Sequence, residues 1–344
     1  MITGSGVHVS FISYFKRSNN IIALIYHFQS MKLIDLHEDL AFSSQNMNVI
    51  SGSSQSSIEK LRKVGDSIVF GVVYPHVFSW KFQKDKDGGR SKNPERTTYP
   101  SFRTAIDQIK FYDDISRSLK IPLVREYTDI VLKGLRLLIS IEGTDVFNDP
   151  SDAYILNDLG VRCIGLTWNY DTKFAASCMS RKDYGLTGAG EELIEICNEM
   201  GVLIDVAHSS KKTILETCKI SRKPVICSHG NSKKIMKHAR NLDDVSIEAI
   251  SGTDGVIGIT AIPATLSSDP KILDLRAHAE YIGNKFGWDH VAIGTDFLGL
   301  VDEKTPKDFE DIDKITSLAE ILESHADDVL WKNSLRVLRN VFRS

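Results

Sequence analysis

From Lys32 onward the chain alternates short apolar, β-branched runs with longer stretches in which apolar residues recur at helical spacing. Eight such runs stand out: KLIDLH (32–37), SIVFGVVY (67–74), LRLLISIE (135–142), VRCIGLTW (161–168), VLIDVAH (202–208), PVICSH (224–229), GVIGIT (255–260) and HVAIGTD (290–296). Near-continuous apolar runs mark strands covered on both faces, and parallel strands need long crossovers between them. Helix-like segments at 101–118, 188–200, 210–219, 244–252 and 271–286, with a final pair at 310–323 and 326–342, supply those crossovers. The alternation predicts an α/β fold with a parallel sheet, and eight units of it predict a (β/α)8, TIM-like barrel.

The same pattern sets the expected organisation. Residues 31–344 read as a single (β/α)8 catalytic domain, with no internal repeat or low-complexity segment to mark a boundary. The stretch KFQKDKDGGRSKNPERTTYPS, 81–101, is rich in charge, Gly and Pro and reads as a long loop after the second strand, placed to cap a barrel mouth. Residues 1–30 contain the apolar patch NNIIALIYHF, too short to span a bilayer and followed by no small-residue cleavage site. They read as a poorly ordered extension, with Met31 a candidate natural start.

Composition narrows the partners. A formal net charge of −3 and a charged fraction of 25% give no basis for nucleic-acid or membrane binding, which leaves a small molecule. The five cysteines are odd in number and never form C-x-x-C, so neither a disulfide framework nor a thiolate zinc knuckle is expected. A reducing cytoplasm fits that usage.

Chemistry concentrates where the runs end. The first run leads into His37 and Asp39, the third ends at Glu142, the fifth at His208, the sixth at His229 and the eighth at Asp296. Parallel barrel strands place all these ends on one face, where barrel enzymes build their sites. In LIDLHEDLAF the period of two sends His37 and Asp39 to one face and Glu38 to the other. Taken singly, each residue has a plainer reading, a solvated histidine or a helix cap. Taken together, histidines and carboxylates ending apolar strands are costly to bury uncompensated, and divalent cations would neutralise them. Imidazole and carboxylate donors without thiolate suit Zn, Mn, Fe or Co, zinc being the commonest for hydrolysis. Five ligands exceed one tetrahedral site. Two ions sharing Glu142 would use them all, one on His37 and Asp39, the other on His208 and His229.

The motifs DLHEDL, IEG, GVRCIGLTWN, GLTGAG, GVLIDVAHSS, PVICSHG, RNLDD and IGTDFLG, in this order, resemble the membrane dipeptidase (renal dipeptidase) family of zinc peptidases. The resemblance runs from about Lys32 through NSLRVLRNV at 333–341. It implies a metal-dependent barrel of the amidohydrolase type, two Zn2+ ions held by His37, Asp39, Glu142, His208 and His229, and hydrolysis of a dipeptide by a metal-bridging hydroxide. It also implies that Arg240, in HARN, binds the substrate carboxylate, that Asp296 moves protons beside the metals, and that Trp168 and Asn169 lie on the substrate side. Family members can be dimers; no homodimer interface is legible in the sequence.

Two departures from the family accompany it. Trp168, in LTWN, stands where many members have a histidine that donates to the developing oxyanion; an indole N–H donates one hydrogen bond but carries no proton or charge. Leu298 stands where the family often has another acid, which predicts little chemical effect but an altered pocket polarity. Two other readings compete: a metal-dependent hydrolase of lactones, β-lactams, phosphoesters or N-acyl amino acids on the same scaffold, and a non-catalytic metal-binding homologue.

Overall fold

The computed structural model describes residues 31–79, 97–300 and 304–342. The expectations for residues 1–30 and for most of the 81–101 loop therefore lie outside the described residues. The end of that stretch is ordered differently from a loop, because Thr97–Pro100 pairs antiparallel with His76–Ser79 and Ser101 caps the following helix.

All eight runs become parallel strands: β1 (Lys32–Glu38), β2 (Asp66–Val73), β3 (Leu135–Ile141), β4 (Val161–Gly165), β5 (Leu203–Asp205), β6 (Val225–Ile226), β7 (Ile257–Ile259) and β8 (Val291–Ile293). The sheet runs β6-β5-β4-β3-β2-β1-β8-β7. Its remaining seam is closed by a single parallel bridge, Cys227 to Ile257, with the Cys227 N–H donating to Val256 O at 3.0 Å and the Gly258 N–H to Cys227 O at 2.8 Å. Closure removes the sheet edges, and the fold is a (β/α)8 barrel.

The helices begin where short polar side chains satisfy their first N–H groups. Ser101 caps Phe102–Leu119, Thr187 caps Gly188–Met200, Ser210 caps Lys211–Ile220 and Asp243 caps Asp244–Gly252, each accepting from the residue three positions on. Strand residues sort into two apolar layers. Leu33, Val69, Leu137, Ile204, Ile257 and Ile293 join the cluster that packs on the helices. Ile34, Phe70, Leu138, Leu203 and Ala292 join a second cluster, closed off by Val337, Leu338 and Val341 of the last helix, Asn333–Phe342. That helix is pinned by Asn333, whose Nδ2 donates to Trp288 O at 2.7 Å and Val291 O at 2.8 Å.

The later strands are shorter than the runs that foretold them. The chain leaves the ladder three residues before His208 and three before Asp296, and both residues take left-handed backbone angles, φ 63° and 62°. Non-glycine residues rarely adopt that region, and here it turns the two side chains out of the strand direction toward the barrel mouth.

Candidate metal centre

The residues at the carboxyl ends of the strands meet. Glu142 Oε1 lies 3.0 Å from His208 Nε2, 3.5 Å from His229 Nε2 and 3.7 Å from His37 Nε2. His37 Nε2 is also 3.6 Å from Asp39 Oδ2 and 3.5 Å from Asp296 Oδ1. Every member except Asp296 is buried, and Asp296 is nearly so. Two groups could each hold a cation: His37, Glu142 and His229, and His37, Asp39 and Asp296.

His37 and Asp39 converge by a route other than strict alternation. The register between β1 and β2 shifts between Asp35 and Glu38, and Asp39 lies beyond the strand, at the cap position of the short helix Leu40–Ser43. Glu38 does point elsewhere; it is fully buried, and burial and the neighbouring Asp35 push its carboxyl well up. Asp35 accepts from the His37 N–H at 3.2 Å and from the Thr295 N–H and hydroxyl at 2.9 and 2.7 Å, tying the end of β1 to the bend before Asp296. Asp205 does the same for the histidines His208 and His229, accepting from the Ala207 and Ser228 N–H groups at 2.9 and 2.8 Å.

All three imidazoles present Nε2 to the centre because their Nδ1 atoms are occupied behind it. His208 Nδ1 is 2.9 Å from Asn169 Oδ1, His229 Nδ1 is 2.8 Å from Ser228 Oγ, and His37 Nδ1 is 3.4 Å from the same hydroxyl. A partner on one ring nitrogen fixes the tautomer and aims the other at a cation. Asn169, expected on the substrate side, contacts His208. Asp35, Asp205 and Ser228 were not singled out from the sequence; polar residues inside otherwise apolar runs were the available signal.

The charges are unbalanced without a cation. Burial alone would push the His37 imidazole down, but Glu142, Asp39 and Asp296 outweigh it and hold it at about 10. Burial pushes Glu142 well above the usual carboxylate range against the pull of His37 and Arg240. His208 and His229 are driven far down, by burial first and then by Arg240 and His37, so both are neutral donors. His37 Nε2 is buried with no hydrogen-bond partner among the described residues. An orphaned ring nitrogen amid carboxylates and two neutral imidazoles fits divalent metal.

Around the centre, Trp168 packs edge-on to Tyr74 and Tyr170, with ring centroids 5.2 and 5.3 Å away, and sits 6.2 Å from His208. Behind it, His76 is buried with its Nε2 3.3 Å from Asp145 Oδ2, a pair with no signal in the sequence pattern. Arg240 is close enough for its charge to bear on Glu142, His208 and His229, and its Nε is buried without an acceptor. Leu298 lies away from the pocket whose polarity it was expected to alter. Its side chain is buried in the apolar layer against the helices, while its N–H donates to Gln55 Oε1 at 2.7 Å. The residue that shapes the mouth there is Gly299, where a Cβ would stand 2.5 Å from Asp39 Oδ2 and 3.0 Å from Asp296 Oδ1.

A closed parallel barrel with histidine and carboxylate donors gathered on its carboxyl rim defines a metal-dependent hydrolase. The chain belongs to the membrane dipeptidase family, peptidase family M19, whose model matches residues 26–343. An uncharacterised Klebsiella pneumoniae protein encoded in the pqqA 5′ region is 32% identical over 230 residues, 61% of this chain and 84% of that protein. The dipeptidase verJ of Clonostachys rogersoniana is 31% identical over 254 residues, 70% of this chain but 65% of its own length. Among solved structures, a Rhodobacter sphaeroides metallopeptidase liganded with a phosphinate mimic of the dipeptide L-Ala-D-Ala superposes with a TM-score of 0.74 at 19% identity, covering 91% of this chain and 100% of that one. Among the described residues no helix is long and apolar enough to cross a membrane.

Proposed function

We propose that this chain is a dinuclear zinc dipeptidase. His37 and Asp39 would hold one ion and His208 and His229 the other, with Glu142 shared, a division supported by the short distances among their donor atoms. When bound, the zinc pair would supply Lewis acidity toward the scissile carbonyl and lower the pKa of the attacking water to roughly 7.

The remaining work falls to the protein's own side chains. The Asp296 carboxylate, beside His37, accepts the proton that water loses as it attacks the carbonyl carbon, then delivers it to the leaving amine as the C–N bond breaks. The guanidinium of Arg240 offers paired N–H donors to the free carboxylate of the C-terminal residue, which restricts substrates to short peptides. The Trp168 indole N–H has no acceptor among the described residues and donates to the carbonyl oxygen as charge develops on it, a single hydrogen bond with no proton to give. Asn169 and Ser228 hold the imidazoles in orientation.

The observation that carries this reading is the convergence of the three Nε2 atoms on Glu142, beside an Arg240 that has no carboxylate partner among the described residues. Metal analysis of the purified protein, paired with a dipeptide hydrolysis screen with and without chelator, tests it. The expected result is two zinc equivalents and chelator-sensitive cleavage; bound metal with no cleavage of any dipeptide defeats it.

A further inference from the structure

Next to the metal centre lies a polar cavity of about 200 Å³, walled by Ser177 and Cys178, by Ser209 and Ser210 just after His208, and by Lys233 and Arg240 from the segment after His229. Two acids also reach it, and both are engaged. Asp183 accepts from the Ser210 hydroxyl and from the Lys212 N–H at 3.1 Å, while Asp243 caps its helix through the Ser246 N–H at 3.0 Å and holds Lys211 Nζ at 2.7 Å.

Among the described residues neither Arg240 nor Lys233 has a carboxylate within ion-pair distance; Arg240 Nε is buried without an acceptor, and Lys233 is exposed on the cavity wall. Their charges converge from two sides. The Cys178 thiol, pushed up by burial, is drawn back by Arg240 and then Lys233, and the His238 imidazole, pushed down by burial, is pushed further by the same two. Arg240 lines the cavity together with Ser209 and Ser210, the two residues that follow His208, so the cavity adjoins the reaction centre. Ser177 Oγ accepts from the Met179 N–H at 3.2 Å, which leaves its own hydrogen to donate.

A lining of this kind is built for an anion. Pockets for whole drug-sized ligands run to roughly 300–1,000 Å³, so this smaller volume suits a single side chain. We infer that the cavity receives the side chain of the substrate's C-terminal residue, and that Lys233, with the Ser177 hydroxyl, selects an acidic one, aspartate or glutamate. The inference rests on the dipeptidase reading, in which Arg240 holds the terminal carboxylate. The acidic side chain would be the second negative group on the same residue, and the cavity offers it the second unneutralised cation.

Two pairs of near-isosteric substrates test it: Ala-Asp against Ala-Asn, and Ala-Glu against Ala-Gln. The zinc-loaded wild type is expected to favour each acid over its amide by about tenfold in kcat/KM, mainly through KM, the size of a charge-assisted contact. Lys233→Met should bring that ratio close to one, Lys233→Glu should invert it, and Lys233→Arg should keep it. Calorimetric binding of Ala-Glu and Ala-Gln to wild type and Lys233→Met gives a second readout that needs no turnover. Equal treatment of acid and amide by the wild type, or a preference that survives in Lys233→Met, overturns the inference while leaving the dipeptidase reading intact. Failure to cleave any of the four overturns the dipeptidase reading, and calorimetry then decides the cavity: binding that ignores the side-chain charge or Lys233 sinks it.

Discussion

The Nε2 atoms of His208 and His229 face each other at 3.0 Å, and Glu142 Oε1 lies within 3.5 Å of both. Both rings are neutral and both Nδ1 atoms are occupied behind the centre. Two lone pairs and a carboxylate directed at one point repel one another unless a proton or a cation lies between them. That pair defines the centre more sharply than any single ligand does.

Metal removal should therefore cost stability as well as activity. A cation present at about a thousand times its dissociation constant stabilises the fold by ~4 kcal/mol. Dialysis against chelator is expected to abolish turnover and lower the melting temperature, and zinc should restore both. A melting curve indifferent to chelation in protein shown to be metal-free would argue against a shared metal centre.

Asp296 is placed to move a proton, 3.5 Å from His37 Nε2 and less buried than the other carboxylates. Asp296→Asn should lower kcat by about 10²–10⁴-fold, the range of general acid–base catalysis, while metal content measured on the same preparation stays near that of wild type. Wild-type turnover by the variant would take Asp296 out of the mechanism.

Arg240 should act through KM. Arg240→Ala is expected to raise KM for dipeptides by about a hundredfold or more, since a charged hydrogen-bonded contact carries 2–5 kcal/mol. Arg240→Lys should recover only part of it, because an ammonium cannot reproduce the two parallel N–H donors. Steady-state kinetics on one good substrate settle the matter, and an unchanged KM would point to a substrate without a free carboxylate.

Gly299 is required by close approach. Gly299→Ala sets a methyl group 2.5 Å from Asp39 Oδ2, which must shift. Displacing a ligand's support typically costs 10–100-fold in metal affinity, and competition with a coloured chelator measures it. Wild-type affinity in the variant would show that Asp39 has room to move.

Trp168→Phe retains an aromatic ring beside Tyr74 and removes the indole N–H. Loss of one oxyanion donor lowers kcat by about 10²–10³-fold. A decrease confined to KM would assign the ring to packing against substrate instead.

Much of this was written in local pattern. The eight apolar runs became the eight strands, and Ser101, Thr187, Ser210 and Asp243 start their helices close to where periodicity placed them. His37, Asp39, Glu142, His208, His229 and Asp296 could be gathered as candidates because parallel strands share one carboxyl face, whatever the details of closure. The order and register of the strands, the Cys227–Ile257 seam, the left-handed bends at His208 and Asp296, and the Asn169 and Ser228 contacts behind the imidazoles were decided only in three dimensions. So were the buried His76–Asp145 pair and the meeting of Arg240 and Lys233 on one cavity wall. The physical reason is range. Periodicity and capping are settled among residues a few positions apart, whereas the aim of the His37 and His208 imidazoles or the pairing of a cation depends on groups tens to hundreds of positions away, which meet only once the barrel has closed.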